Sequence, residues 1–356
     1  MIAVRLLVPL LLLAACAGQN GVAPAGLAGA VGGEPLPVST SPIETVPPVT
    51  STPTTVTTTA PPTTTTTLGE RRRIVIRGTG DVNLDADYIP ALATHGYDHA
   101  WSGLDGLFLD DDITVVNLEC AAAPGGTPAY KEFVFRCGDR AALEAMAHAG
   151  VDVANLGNNH SQDYGVDVLV RSRRLLRDAG VQPVGAGKHL RQATHPAVFV
   201  IGGWTVAVLG FGGVVPEPGW LAGPRSPGMA SGDDIDTMVE AVRDADEMAD
   251  LVFVTIHWGT ELDAEPRPED VERAHAMIDA GADGIFGHHQ HRLQRLDHYR
   301  GRPIAWGLGN FVWPRFSDAS ATTAVAEFVV RPDGTVRGRL LPAFIESSGH
   351  PVLVER

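Results

Sequence analysis

The chain has 356 residues, 42 acidic against 27 basic side chains, and a formal net charge of −15. That balance excludes a general nucleic-acid binder, because neutralising phosphates needs a basic face. It also argues against long-range attraction of an anionic polymer, although bound cations would reverse the field locally.

Residues 1–16 read as a lipoprotein signal. Arg5 precedes an apolar run, Leu6 to Ala15, that is too short to span a bilayer and fits the apolar region of a secretory signal. Leu13-Ala14-Ala15-Cys16 looks like a bacterial lipobox, so Cys16 is expected to carry lipid and to anchor the protein at the outer face of the cytoplasmic membrane, the alternative being a plain signal peptide with an incidental Cys. No later segment is apolar for about 18 residues, so no transmembrane helix is predicted. Residues 17–70 turn Gly/Ala-rich and then Pro/Thr-rich, as in Thr63 to Thr67. Without apolar periodicity they cannot bury enough surface to offset ordering, and a disordered stalk is expected. The folded domain is then 71–356, with 26 basic and 39 acidic side chains.

The first strand is predicted at Ile74–Gly78 and runs into Thr79-Gly80-Asp81-Val82-Asn83. A carboxylate after a glycine turn can reach a cation, or merely cap the turn. The second, Ile113–Leu118, closes on Glu119, which is either a carboxylate shared between two cations or an edge residue meeting solvent. A strand is predicted at Phe133–Arg136. Cys120 and Cys137 are expected to pair in an oxidising compartment, the alternative being two buried thiols.

Helix Arg140–Ala149 follows, capped by Asp139 and ended by Gly150. The strand Val151–Leu156 breaks at Gly157 into Asn158-Asn159-His160-Ser161-Gln162-Asp163, ahead of helix Val166–Ala179 and Gly180. Asn beside His offers a neutral oxygen and an imidazole nitrogen, a pairing suited to metal; helix capping is the alternative. Strands Val181–Val184, Val198–Val200 and Thr205–Leu209 precede helix Ile235–Ala249, capped by Asp233 or Asp234.

Strand Leu251–His257 ends in Trp258-Gly259-Thr260-Glu261. Helix Pro268–Ala280, closed by Gly281, leads to strand Asp283–Phe286 and then Gly287-His288-His289-Gln290-His291. Three histidines in four residues after an apolar strand are the most specific signal in the chain. Extended backbone would put His289 and His291 on one side; an irregular turn would aim them at adjacent cations. Strand Pro303–Gly307 and the turn Leu308-Gly309-Asn310-Phe311 line the same rim, and strands Ala324–Val330 and Gly338–Phe344 follow. Strand–helix alternation with a β-rich end points to two stacked sheets flanked by helices, with ligands just past the strand ends.

There is no G-x-S-x-G elbow, Walker loop, G-x-G-x-x-G or H-E-x-x-H, so serine hydrolase, nucleotide kinase and zincin readings lose support. The set Gly80-Asp81, Asn117-Leu118-Glu119, Asn158-Asn159-His160 with Asp163, His257-Trp258-Gly259 with Glu261, His288-His289-Gln290-His291 and Gly309-Asn310-Phe311 resembles the CapA-type poly-γ-glutamate capsule synthesis proteins. These are similar to calcineurin-like metallophosphoesterases.

The resemblance covers most of 73–312 and implies a four-layer α/β/β/α sandwich with two divalent ions, of manganese, iron or zinc. It implies that Asp81 holds one ion, that Glu119 bridges, that Asn159, His257 and His289 hold the second, and that His291 returns to the first. His160 would be the general acid with Asp163 beside it, while Glu261, His288 and Asn310 would meet substrate. On the segment before Cys137, Lys131 or Arg136 is expected to bind a substrate anion, the alternative being a solvated strand edge. Asn83 departs from the pattern, standing where many such enzymes place a metal-binding His, and the His288-His289 pair leaves the ligand register open by one.

The expected function is a metal-dependent hydrolase of a phosphoester, acting in capsule or envelope polymer synthesis. The rival is a non-catalytic binding or export component working with capsule synthase partners.

Overall fold

The computed structural model describes residues 70–354; the expected signal, Cys16 and the Pro/Thr-rich stretch lie outside the described residues. Strands β1 (Ile74–Val82), β2 (Ile113–Leu118), β3 (Val153–Asn155) and β4 (Gln182–Val184) pair in parallel. The chain then builds a second sheet from β5 (Ala197–Ile201), β6 (Trp204–Gly212), β7 (Leu251–His257), β8 (Gly284–His288), β9 (Leu296–Tyr299) and β10 (Arg302–Ala305), in the order β9-β10-β8-β7-β6-β5. It returns to the first sheet through β11 (Asn310–Val312), β12 (Thr322–Val330), β13 (Val336–Ile345) and β14 (Pro351–Leu353). The first sheet reads β14-β13-β12-β1-β2-β3-β4, with β11 parallel to the end of β1.

Alternation along the strands sorts side chains into three apolar layers. In β2, Ile113 and Val115 face the space between the sheets, and Val116 and Leu118 face outward. Outside the first sheet lie α1 (Arg140–His148) and α2 (Val166–Asp178), which supply Leu143, Met146, Leu169 and Leu176. Outside the second lie α3 (Ile235–Asp246) and α4 (Pro268–Asp279), which supply Met238, Val242, Ala274 and Met277. The middle layer includes Phe286 stacked on Phe328 from the opposite sheet, ring centres 4.4 Å apart. A Cβ on Gly78 would run into the Phe286 ring, so this glycine lets the sheets approach. Each such fully buried side chain is worth about 1.5–3 kcal/mol. The result is the four-layer α/β/β/α sandwich.

Asp139 Oδ1 accepts from Ala141 N at 2.9 Å, and Asp234 Oδ1 accepts from Thr237 N at 3.2 Å, capping α1 and α3. Cys120 and Cys137 form a disulfide. The predicted strand at Phe133–Arg136 is not one. The segment touches its neighbour only through an isolated Ala121–Arg136 bridge, because Phe135 N donates at 2.7 Å to the Asp163 side chain and Cys137 is tied to Cys120. Strands β9, β11 and β14 were not expected; runs of three or four residues carry too little periodicity to read.

Candidate metal centre

Both sheets aim polar side chains at one point. The β1–β2 register shifts between Gly78 and Asp81, a bulge that turns the Asp81 carboxylate toward the second sheet. A Cβ on Gly80 would collide with the Gly309 carbonyl, so the close passage that lets Asp81 N donate to Gly309 O at 2.9 Å requires glycine there. Glu119 follows β2, Asn159 follows β3, His257 ends β7, and His289 and His291 follow β8.

His289 (φ +98°) and His291 (φ +51°) both sit in the left-handed region, so the irregular turn, not extended backbone, carries the histidine pair. Non-glycine residues there cost on the order of 1–3 kcal/mol each, strain that collects at functional sites.

Two overlapping groups offer ligand atoms within 4.8 Å of one another: Asp81, Glu119 and His257, and Glu119, His289 and His291. Glu119 belongs to both. Asp81 Oδ2 lies 3.2 Å from His291 Nδ1, and Asp81 Oδ1 lies 3.9 Å from His257 Nδ1. Asn159 Oδ1 is 2.9 Å from His257 Nε2, which is 3.7 Å from Glu119 Oε1. Asp81 therefore stands between His257 and His291 rather than with His291 alone.

Burial, then the nearby Asp81 charge, pushes Glu119 well above the usual carboxylate range. Burial would raise Asp81 as well, but the hydrogen bond and charge of His291 outweigh it and hold Asp81 low. Burial drops His288 to about 4 and His289 to about 3, and carries His257 well below its ordinary value. Burial thus favours the neutral imidazole, the form in which histidine binds metal. Both Glu119 oxygens are buried without a hydrogen-bond partner. A carboxylate so placed costs several kcal/mol, which a divalent cation would remove, so the donor set fits such an ion.

Beside this cluster, His160 Nδ1 lies 2.7 Å from Asp163 Oδ2, and its Nε2 is 4.0 Å from Glu119 Oε1. Burial lowers the His160 pKa, opposed by Asp163. Lys131 Nζ braces the turn, donating to Asn159 O at 2.6 Å and pairing with Asp163 Oδ1 at 2.6 Å. A cleft of about 390 Å³ opens over the group, and His160, His291, Asn310 and Glu261 line it.

Asp81, Glu119, Asn159, His160, His257, His289 and His291 are thus brought together. Asp163 backs His160 from a fully buried position, and so positions the ring instead of meeting substrate. Two expected substrate contacts need correction. His288 is fully buried in β8 with its Nε2 2.8 Å from Thr255 Oγ1, leaving it no route to a substrate. Lys131 is engaged by Asn159 and Asp163, and Arg136 stacks on Tyr164 at 3.6 Å.

Asn83 is buried and its Oδ1 accepts from Asp85 N at 2.9 Å. Beneath the ligands runs a buried amide network not anticipated from sequence: Asn117 Nδ2 donates to Asp81 Oδ1 at 2.9 Å and lies 3.0 Å from His257 Nδ1, while Asn155 and Asn158 donate to Asn117 Oδ1. Asparagines closing apolar strands were its one visible signal. The aromatic residues Phe135 and Trp313, against His160 and His291, were also missed.

The chain is 29% identical to the capsule biosynthesis protein CapA of Bacillus anthracis over 80% of its own length and 70% of that protein. It is 32% identical to the PGA biosynthesis protein CapA of Bacillus subtilis over 60% of its length and 56% of that protein, so it spans little more than half of the latter. The Haemophilus influenzae NAD nucleotidase structure aligns with 80% of this chain and 60% of that one at 12% identity and a TM-score of 0.46, a likeness too low to carry an argument. Residues 75–315 match the family described as bacterial capsule synthesis protein PGA_cap, and with more than half its length inside that match the chain belongs to this family.

Proposed function

We propose that this protein is a metal-dependent hydrolase of a phosphoester, lipid-anchored through Cys16 outside the cytoplasmic membrane on a 17–70 stalk, and serving capsular poly-γ-glutamate or envelope polymer synthesis. The observation that supports it most is Glu119: a buried carboxylate, unpartnered at both oxygens, facing neutral imidazoles from the opposite sheet. Asp81, Glu119, Asn159, His257, His289 and His291 would hold two divalent ions. Bound there, the ions supply Lewis acidity and positive charge that an anionic transition state needs. Asp163 fixes the His160 ring so that Nε2 faces the cleft, and Nε2 delivers a proton to the leaving oxygen. The same burial that depresses the His160 pKa makes its imidazolium the stronger acid.

The second reading, a non-catalytic component that binds polymer or synthase partners, is favoured by one observation. Asn83, where the resemblance calls for a histidine, is held by its own loop and offers a buried amide nitrogen without a partner.

Two variants separate ligand from acid. His289→Ala is expected to lose bound metal and activity together. His160→Ala should keep its metal, measured by mass spectrometry, and lose roughly 10²–10⁴-fold in turnover, most on poor leaving groups. Equal metal loss in both would make His160 a ligand, and a fully metallated wild type inert toward every phosphoester tried would favour the second reading.

A further inference from the structure

We propose that the cleft beside the metal centre receives the apolar organic portion of a phosphoryl substrate, not a carboxylate-bearing stretch of polymer. This rests on the hydrolase reading for the phosphoryl group only.

The cleft floor is aromatic. Tyr88, Phe135 and Trp313 pack on one another, with ring centres 4.5 Å (Tyr88–Phe135), 5.9 Å (Tyr88–Trp313) and 5.5 Å (Phe135–Trp313) apart. The Phe135 ring is 4.4 Å from His160 and the Trp313 ring 4.9 Å from His291, so the floor is continuous with the functional histidines. A molecule with its reacting group between those histidines would have this aromatic floor beside its remainder.

The rim is apolar too, and stands in water. Leu262, Phe133 and Phe316 line the cleft yet are 60%, 52% and 69% exposed. Large apolar side chains exposed together at one mouth mark a binding surface. Leu262 is moreover held at φ +68° with its N donating to Gln290 O at 2.8 Å, a strained conformation at the lip of the site.

Charge decides the class of occupant. The charged lining consists of Arg292 and Glu261, besides the histidines, and Lys131 is engaged within the protein. One cation and one anion leave the lining without a net positive charge to gather a carboxylate on every residue of a polymer, and the negative faces of the rings oppose those anions. An apolar ring or hydrocarbon chain meets no such opposition and covers the exposed rim.

Calorimetric titration of the full-chain protein with non-hydrolysable probes tests this without requiring turnover. The probes are 1-naphthylphosphonate, decylphosphonate, methylphosphonate and tetra-γ-glutamate. Naphthyl- or decylphosphonate is expected to bind about tenfold or more tighter than methylphosphonate. Phe133→Ala and Phe316→Ala, both at exposed positions, should each narrow that margin about threefold with the melting temperature unmoved. A ring preferred over a chain, or the reverse, supports the proposal and identifies the source of the apolar group. Equal binding of methyl- and naphthylphosphonate, tighter binding of tetra-γ-glutamate, or variants that bind like wild type would overturn it. Selective binding without hydrolysis of any ester would count against the hydrolase reading alone.

Discussion

Three groups converge on the Asp163 carboxylate: Phe135 N at 2.7 Å and His160 Nδ1 at 2.7 Å meet Oδ2, and the Lys131 Nζ charge pairs with Oδ1 at 2.6 Å. So tethered, it fixes the imidazole and favours its protonated form against burial. Asp163→Asn keeps the shape and removes the charge. Turnover should fall roughly 10²–10⁴-fold with metal content intact, and the His160 titration, followed by NMR, should move to lower pH. A titration that stays put would show that Asp163 does not govern this ring. Most of the candidate ligand set was legible because its members lie at or just past the ends of apolar strands, where α/β folds place their sites. Lys131 and His288 were misjudged because their partners, Asn159 and Thr255, lie 28 and 33 positions away, a proximity no local pattern encodes.

At the level of elements, long periodic segments were the readable ones: α1 to α4 begin at the predicted residues, and α1 and α3 carry the anticipated aspartate caps, Asp139 and Asp234. The segment between Cys120 and Cys137 was not, since its conformation answers to tertiary ties rather than to strand pairing. That loop carries Lys131, Phe133 and Phe135, so the disulfide closes the wall of the site. With a sequence separation of 17, the cross-link is worth roughly 3 kcal/mol in the chain-entropy model. The double variant Cys120→Ala/Cys137→Ala should lose about that much in urea unfolding, and an unchanged midpoint would mean the loop is held by its other contacts.

For the whole molecule, the two-sheet plan was foreseeable from strand–helix alternation, while the return of β11 to the first sheet was not, because three residues cannot announce which sheet they join. The proposed tether belongs to this scale. Cys16→Ser should release the protein from the membrane fraction or block its maturation; a processed variant that still sediments with membranes would remove the anchor from the proposal. The placement of the ligands has a further consequence. Asp81, Glu119 and Asn159 come from one sheet, and His257, His289 and His291 from the other. Neither sheet alone carries a complete set, and Asp81 and His291 are 210 positions apart in the chain. The centre cannot exist in any folding intermediate that lacks the docked pair. Metal capture would therefore keep time for folding, starting only once the two sheets meet across Phe286 and Phe328.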